Sequence, residues 1–221
     1  MTWHARSQQD GKPLEGEGNR RVRLARSHDD GSSFEAEIPI SPGELGACGC
    51  CGMGAIADAE GNLYLLYRTA REITHRDMFL LISRDQGQTF QAVDLHPWEI
   101  AACPMSTVSL AIANGRVLLS WETQGQIYFT EINRHTMTVG SRVQVPGEGG
   151  HRKHPSITAN ATGQMLVAWA EGTGWKRGGS FAWQIFDERG KVLEPQGRSE
   201  GLPAWDFATA IPNKNGFLII S

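Results

Sequence analysis

No apolar run in this sequence approaches the roughly 18 residues needed to cross a bilayer, so a membrane-spanning helix is excluded. Charge is balanced rather than one-signed. Lys+Arg number 21 and Asp+Glu 24, for a formal net charge of −3. That gives no electrostatic reason for general nucleic-acid binding. The opening Met1-Thr2-Trp3-His4-Ala5-Arg6 is not a basic stretch followed by an apolar one, so no signal peptide is expected within this chain. No amphipathic period of helical length appears, which argues against an α-helical fold. There is no nucleotide-binding motif, catalytic serine elbow or zinc-protease motif, and the sequence calls for no cofactor. Tyrosine is scarce, at Tyr64, Tyr67 and Tyr128, and there are four cysteines.

Glycine is abundant, at 26 of 221 residues, with 10 prolines and 7 tryptophans. A hydrophobic share of 40% and a charged share of 20% suit a globular chain with a real core, in one domain or at most two. Many glycines between short alternating runs predict an all-β fold with tight turns.

A repeat supports that reading. Ser27-His28-Asp29-Asp30-Gly31-Ser32-Ser33-Phe34 and Ser83-Arg84-Asp85-Gln86-Gly87-Gln88-Thr89-Phe90 both read S-x-D-x-G-x-[ST]-F. The Asp side chain can accept backbone N–H groups inside the turn, Gly can take positive φ, and the aromatic ring can fold back over the hairpin. The key positions are Ser27, Asp29, Gly31 and Phe34, then Ser83, Asp85, Gly87 and Phe90. This pattern resembles the Asp box, or BNR repeat, of the sialidase superfamily. The resemblance implies a β-propeller of four-stranded blades, with each box joining the third and fourth strands of a blade.

The strand rhythm agrees. The apolar runs Leu63–Arg68, Val117–Glu122 and Met165–Glu171 each follow a turn and an earlier strand. They divide the chain into blades of about 1–45, 46–100, 101–148 and 149–200, with a two-stranded stub at 201–221, as one partial propeller domain. The total is about 17 strands, fewer than the 24 of the family's six blades. The expectation is therefore an incomplete six-bladed ring, completed by an upstream segment or by self-association.

Antiparallel connectivity predicts which residues share a face. The loops leading into the first strands carry Cys48, Cys50 and Cys51, then Cys103, then Arg152 and His154, then Trp205 and Asp206. The ends of the second strands add Arg6, Arg68, Arg71, Glu122 and Glu171 on the same face. The cysteines leave three readings open: disulfides between blades, a thiolate metal site shared with a histidine, or reduced buried thiols. The C-x-C-C run is not read as the C-x₂-C spacing of common zinc sites, which counts against zinc.

The family resemblance implies glycoside hydrolysis, in particular exo-sialidase action. Arg6, Arg68, Arg71 and Arg152 are candidates to hold a substrate carboxylate, because a guanidinium fork matches it in bidentate fashion. His154, Trp205 and Asp206 are further substrate-binding candidates, and Glu122 and Glu171 are the catalytic carboxylates. The chain departs from the family at the nucleophile, since no tyrosine follows Tyr128, and the arginine motif that opens a sialidase domain is not found. The alternative is a non-catalytic propeller that binds glycan or protein, with a Cys/His metal site. Either way the expected partner is a glycan or another small ligand, and the expected location is periplasmic or extracellular.

Overall fold

The computed structural model of the chain describes residues 1–72, 74–194 and 196–221. Among these residues nearly all regular structure is antiparallel strand; the one helical element is a 3-10 turn at Glu17–Asn19. No helix is long and apolar enough to cross a membrane. The strands gather into two compact units, Met1–Met105 and Ser106–Ser221.

The first unit opens with β1 (Thr2–Arg6), a short hairpin of β2 (Gln8–Gln9) and β3 (Lys12–Pro13), then β4 (Arg20–Leu24) and β5 (Ile38–Pro39). β1, β4 and β5 form a sheet in that order. A four-stranded meander follows: β6 (Gly54–Ala57), β7 (Leu63–Arg68), β8 (Met78–Ser83) and β9 (Gln91–His96). β7 and β8 are apolar at consecutive positions because both of their faces are covered. Leu65, Tyr67 and Leu81 point to one core, where they meet Val22 and Leu24 of the first sheet.

The second unit begins with β10 (Ser109–Ala113), β11 (Arg116–Thr123) and β12 (Gln126–Asn133). Two short strands, β13 (Thr138–Val139) and β14 (Val143–Gln144), share the outer edge of β12. Next comes the meander β15 (Arg152–Ala159), β16 (Met165–Glu171), β17 (Gly179–Phe186) and β18 (Gly197–Leu202), then the hairpin β19 (Thr209–Asn213) and β20 (Gly216–Ile220). The period of two along β16 sorts its side chains. Met165, Val167 and Trp169 pack with Leu118, Phe129 and Phe186 on one side, and Leu166 and Ala168 pack with Ala208 and Ala210 on the other. Each fully buried aliphatic here contributes about 1.5–3 kcal/mol relative to exposure.

Three connections between adjacent strands are built alike. In the β8–β9 turn the Ser83 hydroxyl donates to Asp85 Oδ1 at 2.7 Å and accepts from Gly87 N at 2.8 Å. Asp85 also accepts from Thr89 N and Thr89 Oγ1. The β4–β5 turn repeats this with Ser27, Asp29, Gly31 and Ser33. Gly31 and Gly87 sit at φ of 87° and 84°, where a Cβ is strained. Phe90 joins the first unit's core, whereas Phe34 stays exposed over Gly31. In the β17–β18 turn Asp187 accepts from Arg189 N and Lys191 N, a reduced form of the same turn.

The number and limits of the strands depart from the expected ones. The β2–β3 hairpin and the split outer strand β13/β14 add to the anticipated number. Arg152 to Pro155, expected as a loop, are the first residues of β15. Arg152 and Lys153 pair with Glu171 and Ala170, and the register then shifts before Ser156. The shift falls at His154, at φ 51°, and at Pro155, which has no N–H for the ladder.

Candidate functional site

In the first unit the chemistry-bearing residues collect at the end of β7. The loop Gly46–Gly52 lies along the continuation of that strand: Cys48 N donates to Arg68 O at 2.9 Å and Ala70 N to Gly46 O at 3.0 Å. A Cβ at Gly46 would collide with Ala70 O, Glu17 O and Gly18 Cα, so this close approach requires glycine. Gly49 N donates to Glu17 Oε1 at 2.9 Å, and Glu17 Oε2 pairs with Arg76 at 3.2 Å. The loop is thus tied down on both sides.

It presents three cysteines to a fourth. Cys50 and Cys103 form a disulfide with a Cα–Cα distance of 6.7 Å. Cys48 and Cys51 are buried thiols beside it. Cys48 Sγ lies 3.2 Å from Cys51, 3.4 Å from Cys50 and 3.9 Å from Cys103. The contact with Cys51, together with burial, holds the Cys48 thiol well above the ordinary thiol range. The run also holds a spacing that C-x-C-C conceals: Cys48 and Cys51 are themselves C-x₂-C.

The nearby arginines have partners within the protein. Arg6 forks onto Glu15 at 3.1 Å in an exposed pair. Arg68 is buried; its Nη1 donates to Arg76 O at 2.7 Å and its guanidinium lies 5.0 Å from the centre of the Trp98 ring. Arg71 meets His75 Nδ1 at 3.2 Å.

In the second unit Arg152 is the hub. Its Nε donates to Glu171 Oε1 at 3.0 Å, Nη1 to Gln126 Oε1 at 2.9 Å and Pro146 O at 2.8 Å, and Nη2 to Gln196 Oε1 at 3.4 Å. The guanidinium also stacks over Trp169. Glu171 receives the Trp169 indole N–H at 2.7 Å on one oxygen and Arg198 at 2.7 Å on the other. Glu122 is buried at the end of β11, where its Oε1 accepts from Gly125 N. The structure therefore joins Arg152 and Glu171 directly, brings in Gln126, a residue with no sequence signal, and places Glu122 near the end of β11, opposite Ile127. A ligand meeting Arg152 or Glu171 has to displace these internal partners.

An aromatic surface lies on the loops that follow β16 and β18. Trp175 and Trp205 are 69% and 57% exposed and pack edge to face at 4.8 Å. Gly178 makes this possible, because any Cβ there would strike Leu202 O and crowd Pro203 and Ala204. The loop carrying Trp175 can thereby cross the one carrying Trp205. Asp206 follows, its N–H on Pro203 O, and then Phe207, exposed and 4.1 Å from the His154 ring. His154 Nδ1 is 3.3 Å from Thr107 Oγ1. Burial, reinforced by Lys153, pulls the His154 imidazole down to about 4, so it is neutral at pH 7. Phe207 was absent from the candidates; its cue was the aromatic pair flanking Asp206.

No protein-family model and no curated protein matches the chain. Solved structures do. The α-L-arabinanase of Penicillium chrysogenum, a complex with arabinobiose, aligns with a TM-score of 0.61 and 16% identity over 91% of this chain and 67% of that one. An α-L-arabinofuranosidase of Fusarium graminearum, also with arabinobiose, gives 0.60 and 11% over 90% and 66%. The NanB sialidase of Streptococcus pneumoniae gives 0.57 and 16% over 87% of this chain but 31% of that one. The chain spans about two thirds of the arabinan-active structures and less than a third of the sialidase. The fold is that of the sialidase-like β-propellers, with four-stranded antiparallel sheets as blades.

Proposed function

We propose that this chain is a carbohydrate-active propeller protein that binds a glycan on the Trp175–Trp205 surface. One observation carries the reading: two large aromatic rings stay exposed and braced against each other, with Asp206 the next residue after Trp205. Sugar rings stack their C–H faces on such indoles, and a neighbouring carboxylate accepts hydroxyl hydrogens. The glycosidase propellers of like fold support it. We further read the turns at Ser27–Phe34 and Ser83–Phe90 as Asp boxes, the sheets as consecutive blades with the boundaries given above, and the disulfide as suited to an extracellular or periplasmic setting.

A hydrolase is the second reading, favoured by two carboxylates at strand ends: Glu122 near the end of β11, and Glu171 at the end of β16, held by Arg152. In that reading the two carboxylates act as acid and base or nucleophile. Titrating arabino-oligosaccharides, sialyllactose and neutral glycans against the protein tests the first reading. Trp175→Ala and Trp205→Ala should each weaken the best ligand by about tenfold, or roughly 1.4 kcal/mol. Undiminished affinity in both variants sinks it. Hydrolysis of any of these glycans that is lost in Glu122→Gln or Glu171→Gln establishes the second.

A further inference from the structure

The four cysteine sulfurs of the first unit all lie within 4.8 Å of one another. A tetrahedral zinc centre with Zn–S bonds of about 2.3 Å sets its sulfurs about 3.8 Å apart. The separations from Cys48 are 3.2, 3.4 and 3.9 Å, within reach of that figure by small side-chain rotations. A crosslink by itself needs only Cys50 and Cys103. It gives no reason for Cys48 and Cys51 to turn their sulfurs toward the same point, yet both do, at 2% and 5% exposure.

The surroundings suit a metal centre. The loop is held by the Arg68, Ala70 and Glu17 hydrogen bonds, so its geometry does not depend on an ion to organise it. The Arg20 side chain packs against Gly49, and its Nε is buried with no hydrogen-bond partner among the described residues. A fixed cation there offsets the double negative charge of zinc held by four thiolates. The C-x₂-C pair Cys48 and Cys51 is a common half-site for zinc, and no histidine is needed to complete the set.

We propose that these four cysteines form a redox-gated zinc site, which takes one Zn²⁺ when the Cys50–Cys103 disulfide is reduced. In the opening step a dithiol reductant supplies two electrons and two protons; the S–S bond breaks to two thiols and the dithiol becomes a disulfide. Zn²⁺ then displaces four thiol protons, and four Zn–S bonds form. Closing reverses this. A disulfide oxidant takes two electrons from the Cys50 and Cys103 thiolates and, with two protons from water, leaves as two thiols; the crosslink re-forms, two further protons return Cys48 and Cys51 to thiols, and Zn²⁺ is released.

The test uses the full chain, reduced by a phosphine under nitrogen, incubated with zinc and freed of excess by gel filtration. Metal analysis should find about one zinc per reduced chain and none above background in the oxidised chain. Cobalt in place of zinc should give the thiolate charge-transfer and d–d bands of a tetrahedral sulfur set. Cys48→Ser and Cys51→Ser retain the disulfide, so their folding can be checked by circular dichroism in the oxidised state; after reduction both should lose stoichiometric zinc. Four titratable thiols with no bound zinc in the reduced wild type overturn the proposal. So does equal zinc uptake by the reduced and oxidised chains, or by the serine variants.

Discussion

Arg152 shows what a single residue's sequence position can and cannot tell. Its type and place marked it as a candidate to hold a substrate carboxylate; in the structure its guanidinium pairs with an internal carboxylate, that of Glu171. The rest of its environment comes from Gln126, Pro146 and Gln196, residues with no motif and up to 44 positions away. Such long-range polar contacts leave no local pattern to read. Arg152 and Glu171 are 5% and 13% exposed at the side chain. Removing one partner of a buried pair leaves the other charge desolvated and costs about 3–5 kcal/mol. Because Arg198 and the Trp169 N–H stay on Glu171, Arg152→Met should lower the free energy of unfolding by the low end of that range, about 3 kcal/mol, as read from denaturant titration. Arg152→Met combined with Glu171→Gln should recover part of it. A change of less than about 1 kcal/mol in the single variant, the size of an exposed pair, would show that the network contributes little.

Elements were far more legible than single contacts, because a turn is specified by residues adjacent in the chain. The S-x-D-x-G-x-[ST]-F octets foretold the Asp-to-backbone bonding and the positive-φ glycine of both turns, but not the serine hydroxyl that bridges Asp and the glycine N–H. The limits of β15 were misjudged because a proline reads as a loop, while its cross-strand partners Glu171 and Ala170 lie on another strand. The turn chemistry also fixes a pH dependence. Hydrogen bonds from Thr89, first the hydroxyl and then the N–H, followed by that of Ser83, pull Asp85 down to about 2. Asp29 is lowered to about 2 by Ser33 and Ser27 in the same manner. A carboxylate whose folded value is depressed adds stability above its unfolded value, near 3.8, and loses it as pH falls through about 2. Asp85→Ala should then melt below wild type at pH 6, with the gap closing as the pH is lowered toward 2. Thermal melts across that range decide the matter; a gap that stays constant with pH means the charge is not what the turn uses.

At the scale of the whole molecule, composition and turn spacing conveyed the all-β class, since glycine count and strand rhythm are global averages, and the resemblance of the two octets to Asp boxes implied the propeller. The pairing of the cysteines was not conveyed, because four cysteines permit three complete pairings and spacing does not choose among them. The structure links Cys50 to Cys103 and places all four cysteines in the unit Met1–Met105. The crosslink joins residues 53 apart, so it removes conformational freedom from the unfolded state of that unit. For a loop of this length the chain-entropy estimate is about 4 kcal/mol. Reducing the protein in the presence of a chelator, which keeps any zinc from compensating, should accordingly destabilise the β6–β9 sheet. Hydrogen exchange followed by mass spectrometry can locate the effect. Peptides covering β7 and β8 should lose protection on reduction, up to about a thousandfold in exchange rate if they open only with the whole unit. Peptides from β16 and β17, in the unit without cysteines, serve as the internal reference. Unchanged protection in β7 and β8 after complete reduction, confirmed by thiol titration, would mean that the packing around Leu65, Tyr67 and Leu81 holds this sheet without help from the crosslink.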